Sequence, residues 1–343
     1  IPAERRTAHE DLYRWLGATD QPRPSDVERR CQELRSGPSG HRETAAAIVR
    51  HVGGCFTADA SRAASDYAGL RGIPWLPAED DRTRGHAPAA VHTIFRKTLF
   101  ASQAKFLDLS RTVQQDNADF LKWLGVESEP TPEQVVDHLL WSAERNEAVR
   151  EDMWIFLNQN ASDPALDALR AKRCLLIAET NTYVKPTEVY WQWHPFGRFR
   201  HQLGPKFAEY QALLNRLGVA QQPHPSDAIE VLQDVAAKHG GERAPLLDED
   251  VRVVHACWRL LSEGLDEETL APDELETLAP AEVVLDDRKW LRQPSDVFFR
   301  DSHSLADRFG PAVHERLIDR PEGLWRALST AGVRNLSDAV ESR

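Results

Sequence analysis

The sequence predicts a mainly α fold with minor β, built as tandem helical modules that each carry a short β-hairpin or extended arm. Three observations predict it. A Leu-Gly pair followed by Pro-x-Pro at constant offsets occurs at Leu16-Gly17-Ala18 with Pro22 and Pro24, at Leu124-Gly125-Val126 with Pro130 and Pro132, and at Leu217-Gly218-Val219 with Pro223 and Pro225. Apolar residues at three- and four-residue spacing precede each copy, and a Pro-x-x-Val signature follows each one downstream. Repetition at fixed offsets outranks any single-element reading, because it makes one supersecondary unit the object to be explained.

Each element has a local reason. The runs Leu12, Trp15, Leu16; Phe120, Leu121, Leu124; Leu213, Leu214, Leu217; and Leu324, Trp325, Leu328 have the spacing of helix faces. Gly17, Gly125, Gly218 and Gly332 then stand where a helix end calls for positive φ, and the small apolar residue after each folds back on the last turn. The second proline of Pro-x-Pro suits the first position of a new helix, since its missing N–H would be unpaired there anyway. Thr131 and Gln134 complete a capping box about Pro132. The new helices present Val27, Cys31 and Leu34, then Val135, Leu139 and Leu140, then Ile229, Leu232 and Val235 as buried faces.

Downstream, Pro88, Pro186 and Pro294 precede Val91, Val189 and Val297 by the same offset. An apolar burst comes before each: Ile73-Pro74-Trp75-Leu76, Cys174-Leu175-Leu176-Ile177 and Val283-Val284-Leu285. Burst, polar turn and Pro-x-x-Val predict a hairpin or arm, with Asn181 as a turn residue. Helix is then predicted over 94–109, 196–214 and 305–317, up to the next Leu-Gly.

These starts divide the chain into repeat modules 1–123, 124–216 and 217–330, with 331–343 as the start of a fourth repeat at Ala331-Gly332-Val333. Modules of roughly 90 to 115 residues are large for a simple solenoid and suit small domains. The first residue is Ile1 rather than methionine, and a fourth start stands just before the end, so we expect a segment of a larger multidomain protein. The four cysteines form neither a CxxC pair nor a disulfide framework, which makes a reducing cytoplasm the simplest setting. Cys31 and Cys174 fall on apolar faces and read as core. No apolar stretch is long enough to span a bilayer and no secretory pattern opens the chain, so no membrane partner is expected. The formal net charge of −12 disfavours nucleic acid as a generic partner.

Motifs for chemistry are scarce. Gly37, Gly40 and Thr44 lack the spacing and lysine of a phosphate loop. His51 and Cys55 share a helical face but have no second pair to complete a zinc site. Asp80 and Asp81 in a long loop, the acidic stretch 264–280 with Glu267, Glu268, Asp273, Glu274 and Glu276, and the separate His255, His303 and His314 all read as solvated or packed groups. No catalytic, cofactor-binding or metal residue is assigned, and the segment is not expected to be an enzyme by itself.

The densest stretch is 189–201, where Trp191, Trp193, Phe196 and Phe199 interleave with His194, Arg198, Arg200 and His201; residues 189–208 contain no Asp or Glu. In one account the aromatics are module core and the arginines cap a helix or pair with the acidic third module. In a second the stretch anchors a protein partner. In a third it stacks on bases. These eight residues are the candidate partner-binding set.

The Leu-Gly-Val and Pro-x-Pro starts, Ile73-Pro74-Trp75-Leu76-Pro77 and the arm with Tyr183, Pro186, Val189 and Tyr190 together resemble the repeat regions of large sacsin-like and NO VEIN-like proteins. The resemblance implies a helical scaffold beside a heat-shock-chaperone-type ATPase domain, with chaperone-like or, in bacteria, antiviral defence roles. The nucleotide loops of that ATPase are absent from this sequence, so no ATP-binding residue is carried over. The reading is therefore a non-catalytic repeat scaffold that binds protein or neighbouring domains of its own chain. The alternative is a nucleic-acid-binding, winged-helix-like segment of a bacterial defence or restriction system.

Overall fold

The computed structural model describes residues 21–37, 40–178, 180–241, 244–313 and 316–340, and the chain divides into two compact units, Ile1–Ala165 and Leu166–Arg343. The first start, Leu16-Gly17-Ala18 with its helix face Leu12 and Trp15, lies outside the described residues. Among the described residues helix predominates, and the strands form two- and three-stranded pieces.

In the first unit, α1 (Pro24–Leu34) opens on its proline and buries Val27, Cys31 and Leu34 along one face. It is followed by α2 (His41–Ala58) and α3 (Ala60–Asp66), the latter capped by the Asp59 carboxylate, which accepts from the Arg62 N–H. Leu76 and His86 form an antiparallel bridge, and Pro88–Ala90 makes a single 3-10 turn before the buried Val91. Ser110 caps α4 (Arg111–Asp116), α5 (Ala118–Leu124) reaches Gly125, and the predicted capping box of Thr131 and Gln134 opens α6 (Pro132–Glu144). Leu140 is only half-buried there, and Val136 takes the expected core position. Glu151–Gln159 forms α7. Val49, Val52 and Phe56 of α2 meet Phe120, Leu121 and Leu124 of α5 around a core that also holds Trp75.

In the second unit, β1 (Leu175–Ile177) and β2 (Thr182–Val184) pair antiparallel around Asn181, whose φ of 50° is the turn conformation anticipated for it. The 3-10 turn Pro186–Glu188 leads into β3 (Val189–Tyr190), which runs parallel to β4 (His201–Gln202). Then come α8 (Gln211–Leu217), α9 (Pro225–His239), α10 (Asp248–Asp266) and α11 (Pro272–Glu276). A second hairpin, β5 (Val284–Leu285) with β6 (Leu291–Arg292), precedes the turn Pro294–Asp296. β7 (Phe298–Phe299) is followed by α12 (His303–Val313), β8 (Leu317–Ile318), α13 (Trp325–Thr330), β9 (Arg334–Asn335) and α14 (Leu336–Ala339). Val231, Leu232 and Val235 of α9 and Val254, Cys257, Trp258 and Leu261 of α10 centre its core.

One joint recurs. Gly125, Gly218 and Gly332 have φ of 103°, 102° and 117°. Behind each, the valine N–H reaches back five residues: Val126 to Leu121 O at 2.9 Å, Val219 to Leu214 O at 3.0 Å and Val333 to Leu328 O at 3.0 Å. This is the Schellman closure, which satisfies carbonyls the helix end leaves open. The residue after each valine then bridges, in parallel, to the residue after Val91, Val189 or Val297: His92 with Glu127, Tyr190 with Ala220, Phe298 with Arg334. On its other side each central residue meets a further parallel strand, at Phe106, at β4 and at β8.

That third strand corrects the prediction of helix after the arm. The helix predicted over 94–109 is a 3-10 segment, Ile94–Leu99, followed by the bridge at Phe106; that over 196–214 contains β4; that over 305–317 stops at Val313 and gives way to β8. The arm's buried backbone needs partners on both sides. Adjacent apolar pairs such as Phe106-Leu107 or Leu317-Ile318 satisfy either period, so spacing alone cannot tell strand from helix.

Gly125→Ala is expected to destabilise the protein by roughly 1–2 kcal/mol in urea unfolding, because a Cβ there meets nothing within 4 Å and the cost is conformational alone. Gly54→Ala, on the exposed face of α2 with equally open surroundings, should instead stabilise by about 0.5–1 kcal/mol.

Candidate functional site

The basic aromatic stretch 189–201 is the arm of the second unit's first joint, and its side chains part company there. Phe196 is fully buried in the core, with Tyr190 and His194 rings at 6.1 and 6.0 Å. Phe199 packs against the same core from a half-buried position. Trp191 gives its backbone N–H to Ala220 O at 3.0 Å and its indole N–H to Asn215 Oδ1 at 2.8 Å. These contacts fix the arm against the Leu-Gly turn.

The arginines reach the helices that follow. Arg200 is 4% exposed; it donates through Nη1 to Asp234 Oδ2 at 2.7 Å and to Phe199 O at 2.8 Å, and through Nη2 to Glu230 Oε2 at 3.2 Å. Glu230 and Asp234 sit four apart on α9, so one guanidinium spans a turn of helix. Burial alone would lower the Arg200 pKa, but Asp234 and Glu230 together hold it above its usual value. Arg198 donates to Asp250 Oδ2 at 2.5 Å, and His239 Nε2 lies 3.1 Å from the same oxygen. Asp250 is completely buried in the first turn of α10. The Tyr190 hydroxyl donates to Asp227 Oδ2 at 2.8 Å, and the same oxygen accepts the His224 N–H that opens α9. Burial and the neighbouring carboxylate push the phenol of Tyr190 well up.

The large apolar side chain of the stretch that remains outward is Trp193, 74% exposed, with His194 and Pro195 beside it. They face the outer side of α10 across a cleft of about 530 Å3, whose far wall is Glu249, Arg252, Ala256 and Arg259. The α10 residues were not legible as a site, because their only signal is a stripe at 249, 252, 256 and 259 on a helix whose other face is core. His201 lies in β4, half-buried. Burial first, and then the charges of His201 and Arg200, depress the His194 pKa to about 4.

Other sequence candidates stay dispersed. His51 Nε2 lies 3.4 Å from the Tyr67 hydroxyl, and Cys55 abuts the same tyrosine, whose pKa is raised to about 12 by burial and then by Cys55. Cys31 and Cys174 are fully buried, and burial raises both thiols to about 12. Asp81 organises its own loop, accepting from Thr83 Oγ1 at 2.6 Å and Arg84 Nε at 3.1 Å. In 264–280 the acidic side chains Glu267, Glu268, Asp273 and Glu276 face solvent while Leu270, Leu275 and Leu278 are buried. His314 lies outside the described residues. Among the described residues no group of three His, Cys, Asp or Glu side chains is placed to share a metal ion, and no helix is long and apolar enough to cross a membrane.

Removing the Arg200 charge is expected to act on stability. Arg200→Leu should cost about 2 kcal/mol in denaturant unfolding, because Glu230 and Asp234 are exposed enough to be rehydrated while the arm loses its tie. His194 gives a pH signature. Its folded pKa lies below that of an unfolded histidine, so its neutral form contributes stability that is present above about pH 6.5 and is lost as the pH falls toward 4. A His194→Gln variant should therefore show a flatter stability profile across that window than the parent chain. No family model, no curated protein and no solved structure matches this chain.

Proposed function

We propose that this chain is a non-catalytic scaffold of tandem helical modules, a segment of a larger multidomain protein, that holds a protein partner on the outer face of α10. The recurrence of one hydrogen-bonded joint at Gly125, Gly218 and Gly332 carries the scaffold part of the reading. Such joints fix how an arm meets the start of the next repeat, and they leave loop and helix faces free to vary. Trp193 supports the partner-binding part: an exposed tryptophan beside a cleft belongs to a residue type enriched, with Tyr and Arg, among the side chains that carry protein interfaces.

The nucleic-acid alternative draws on the same indole, which could stack on a base between Arg252 and Arg259. It has less support, because Arg198 and Arg200 are committed to Asp250, Asp234 and Glu230, and the first turn of α10 carries Asp248, Glu249 and Asp250. Phosphate binding needs basic charge that is not already neutralised. A chaperone-like or defence-related role for the parent protein rests on the resemblance of the short repeat motifs.

Trp193→Ala tests the reading with little risk to folding, since the side chain is mostly exposed. Partners captured from an extract of the source cells by the immobilised parent chain should be lost on Trp193→Ala and on Arg252→Glu, with thermal unfolding unchanged. The decisive comparison is a gel shift with DNA and RNA at several salt concentrations. Tight, salt-sensitive binding that Arg252→Glu abolishes, with no protein captured, would replace the scaffold reading with the nucleic-acid one.

A further inference from the structure

On the opposite flank of α10 from Trp193 lies a second concavity, a cavity of about 330 Å3 inside the second unit. Its volume falls in the range of small-molecule sites. The floor is apolar: Val254 and Trp258 from α10, Ile318 from β8, and Leu324 and Leu328 from the start of α13 and its body. The Trp258 indole N–H is satisfied by Val283 O at 3.0 Å, so the ring offers the cavity an apolar surface. The rim is acidic, with Asp286, Asp287 and Asp319.

These carboxylates are not equally neutralised. Asp286 is fully engaged, accepting from Arg292 Nε at 3.0 Å and from the N–H groups of Arg288 and Trp290 at 2.9 Å each. Asp287 and Asp319 share a single guanidinium, Arg300, at 3.0 and 3.3 Å. Two negative groups face one positive group. Lys289 also lines the cavity, but its ammonium is held by Asp248 Oδ1 at 2.7 Å. An apolar pocket with one carboxylate charge left over at its mouth matches a ligand that is apolar at one end and cationic at the other.

We propose that this cavity between α10, the β5–β6 hairpin and the Ile318–Leu328 segment binds an organic ammonium, with its apolar group on Trp258 and Leu328 and its charged nitrogen between Asp287 and Asp319. The site meets the Trp193 cleft at His255, which borders both, and does not depend on a protein partner there. Burial, with Asp319 and Asp286 nearby, raises the Asp287 pKa in spite of Arg300, which fits a carboxylate short of positive charge.

The experiment titrates the full chain with 2-phenylethylamine, and with its near-isosteric neutral and anionic counterparts 2-phenylethanol and 3-phenylpropanoate, by ligand-observed NMR. The amine should bind with Kd on the order of millimolar, as suits so small a ligand, and roughly five- to tenfold more tightly than the carboxylate. Asp319→Asn, a change at an exposed position, combined with Asp287→Asn should weaken the amine by about fivefold and leave the alcohol unchanged. Leu324→Trp, which fills the cavity from a half-buried position, should abolish binding of all three, with circular dichroism confirming the fold. Trp193→Ala should leave amine binding as it is. Equal or tighter binding of the carboxylate overturns the ligand class; amine binding that survives Leu324→Trp, or no binding of any of the three at high millimolar concentration, overturns the site.

Discussion

The structure depends on a parallel pairing only a residue or two long. His92, Tyr190 and Phe298 each occupy the middle of three chain segments, with a Gly-Val tail on one side and a returning strand on the other. Strands this short have no stability of their own. They persist because everything around them is determined in advance. The Schellman turn fixes the direction in which the tail leaves its helix, and the Pro-x-x-Val turn fixes the direction in which the arm arrives, with Pro88, Pro186, Pro294 and the following valines all buried. The hydrogen-bonded unit therefore runs from a Pro-x-Pro helix to the residue beyond the next Gly-Val, and the glycine lies inside the joint.

This explains which parts of the fold were legible in the sequence. The end at Gly125 or Gly218, the helix start at Pro132 or Pro225, the Thr131 capping box and the turn at Asn181 each follow from chemistry confined to a few neighbouring residues. The strands at Phe106, His201 and Leu317 did not declare themselves, because their cause is the unpaired edge of an arm elsewhere in the chain. Trp325 shows the same limit: its spacing put it on a buried face, yet it is 42% exposed, with Arg320 stacked 4.1 Å above its ring.

The candidate site was half legible for a related reason. A run with five aromatics and no acid was conspicuous, but what its arginines do is decided by carboxylates 34 and 52 positions away. The overall acidic balance argued against a basic surface in general; Asp234, Glu230 and Asp250 are the particular acids that consume this one. Arg200 belongs to the joint's mechanics, and a charge reversal there would report unfolding as readily as lost recognition. Only Trp193 stands clear of those constraints, so it is the residue on which recognition can be tested without disturbing the fold.

The two concavities of the second unit share a cause. α10 commits Val253, Val254, Cys257, Trp258 and Leu261 to the core, which leaves two flanks to be covered by whatever packs alongside. The preceding arm reaches one flank with Trp193 and Pro195, and the helix's own hairpin reaches the other with Leu285 and Asp287. Neither covers its flank completely, and His255 borders both hollows. A repeat that locks its backbone through a glycine turn and a bridge of one or two residues spends few side chains on the joint. The flanks of its long helix are then free to differ from copy to copy, so one architecture can present a cleft under an exposed tryptophan on one side and a smaller acidic-rimmed pocket on the other.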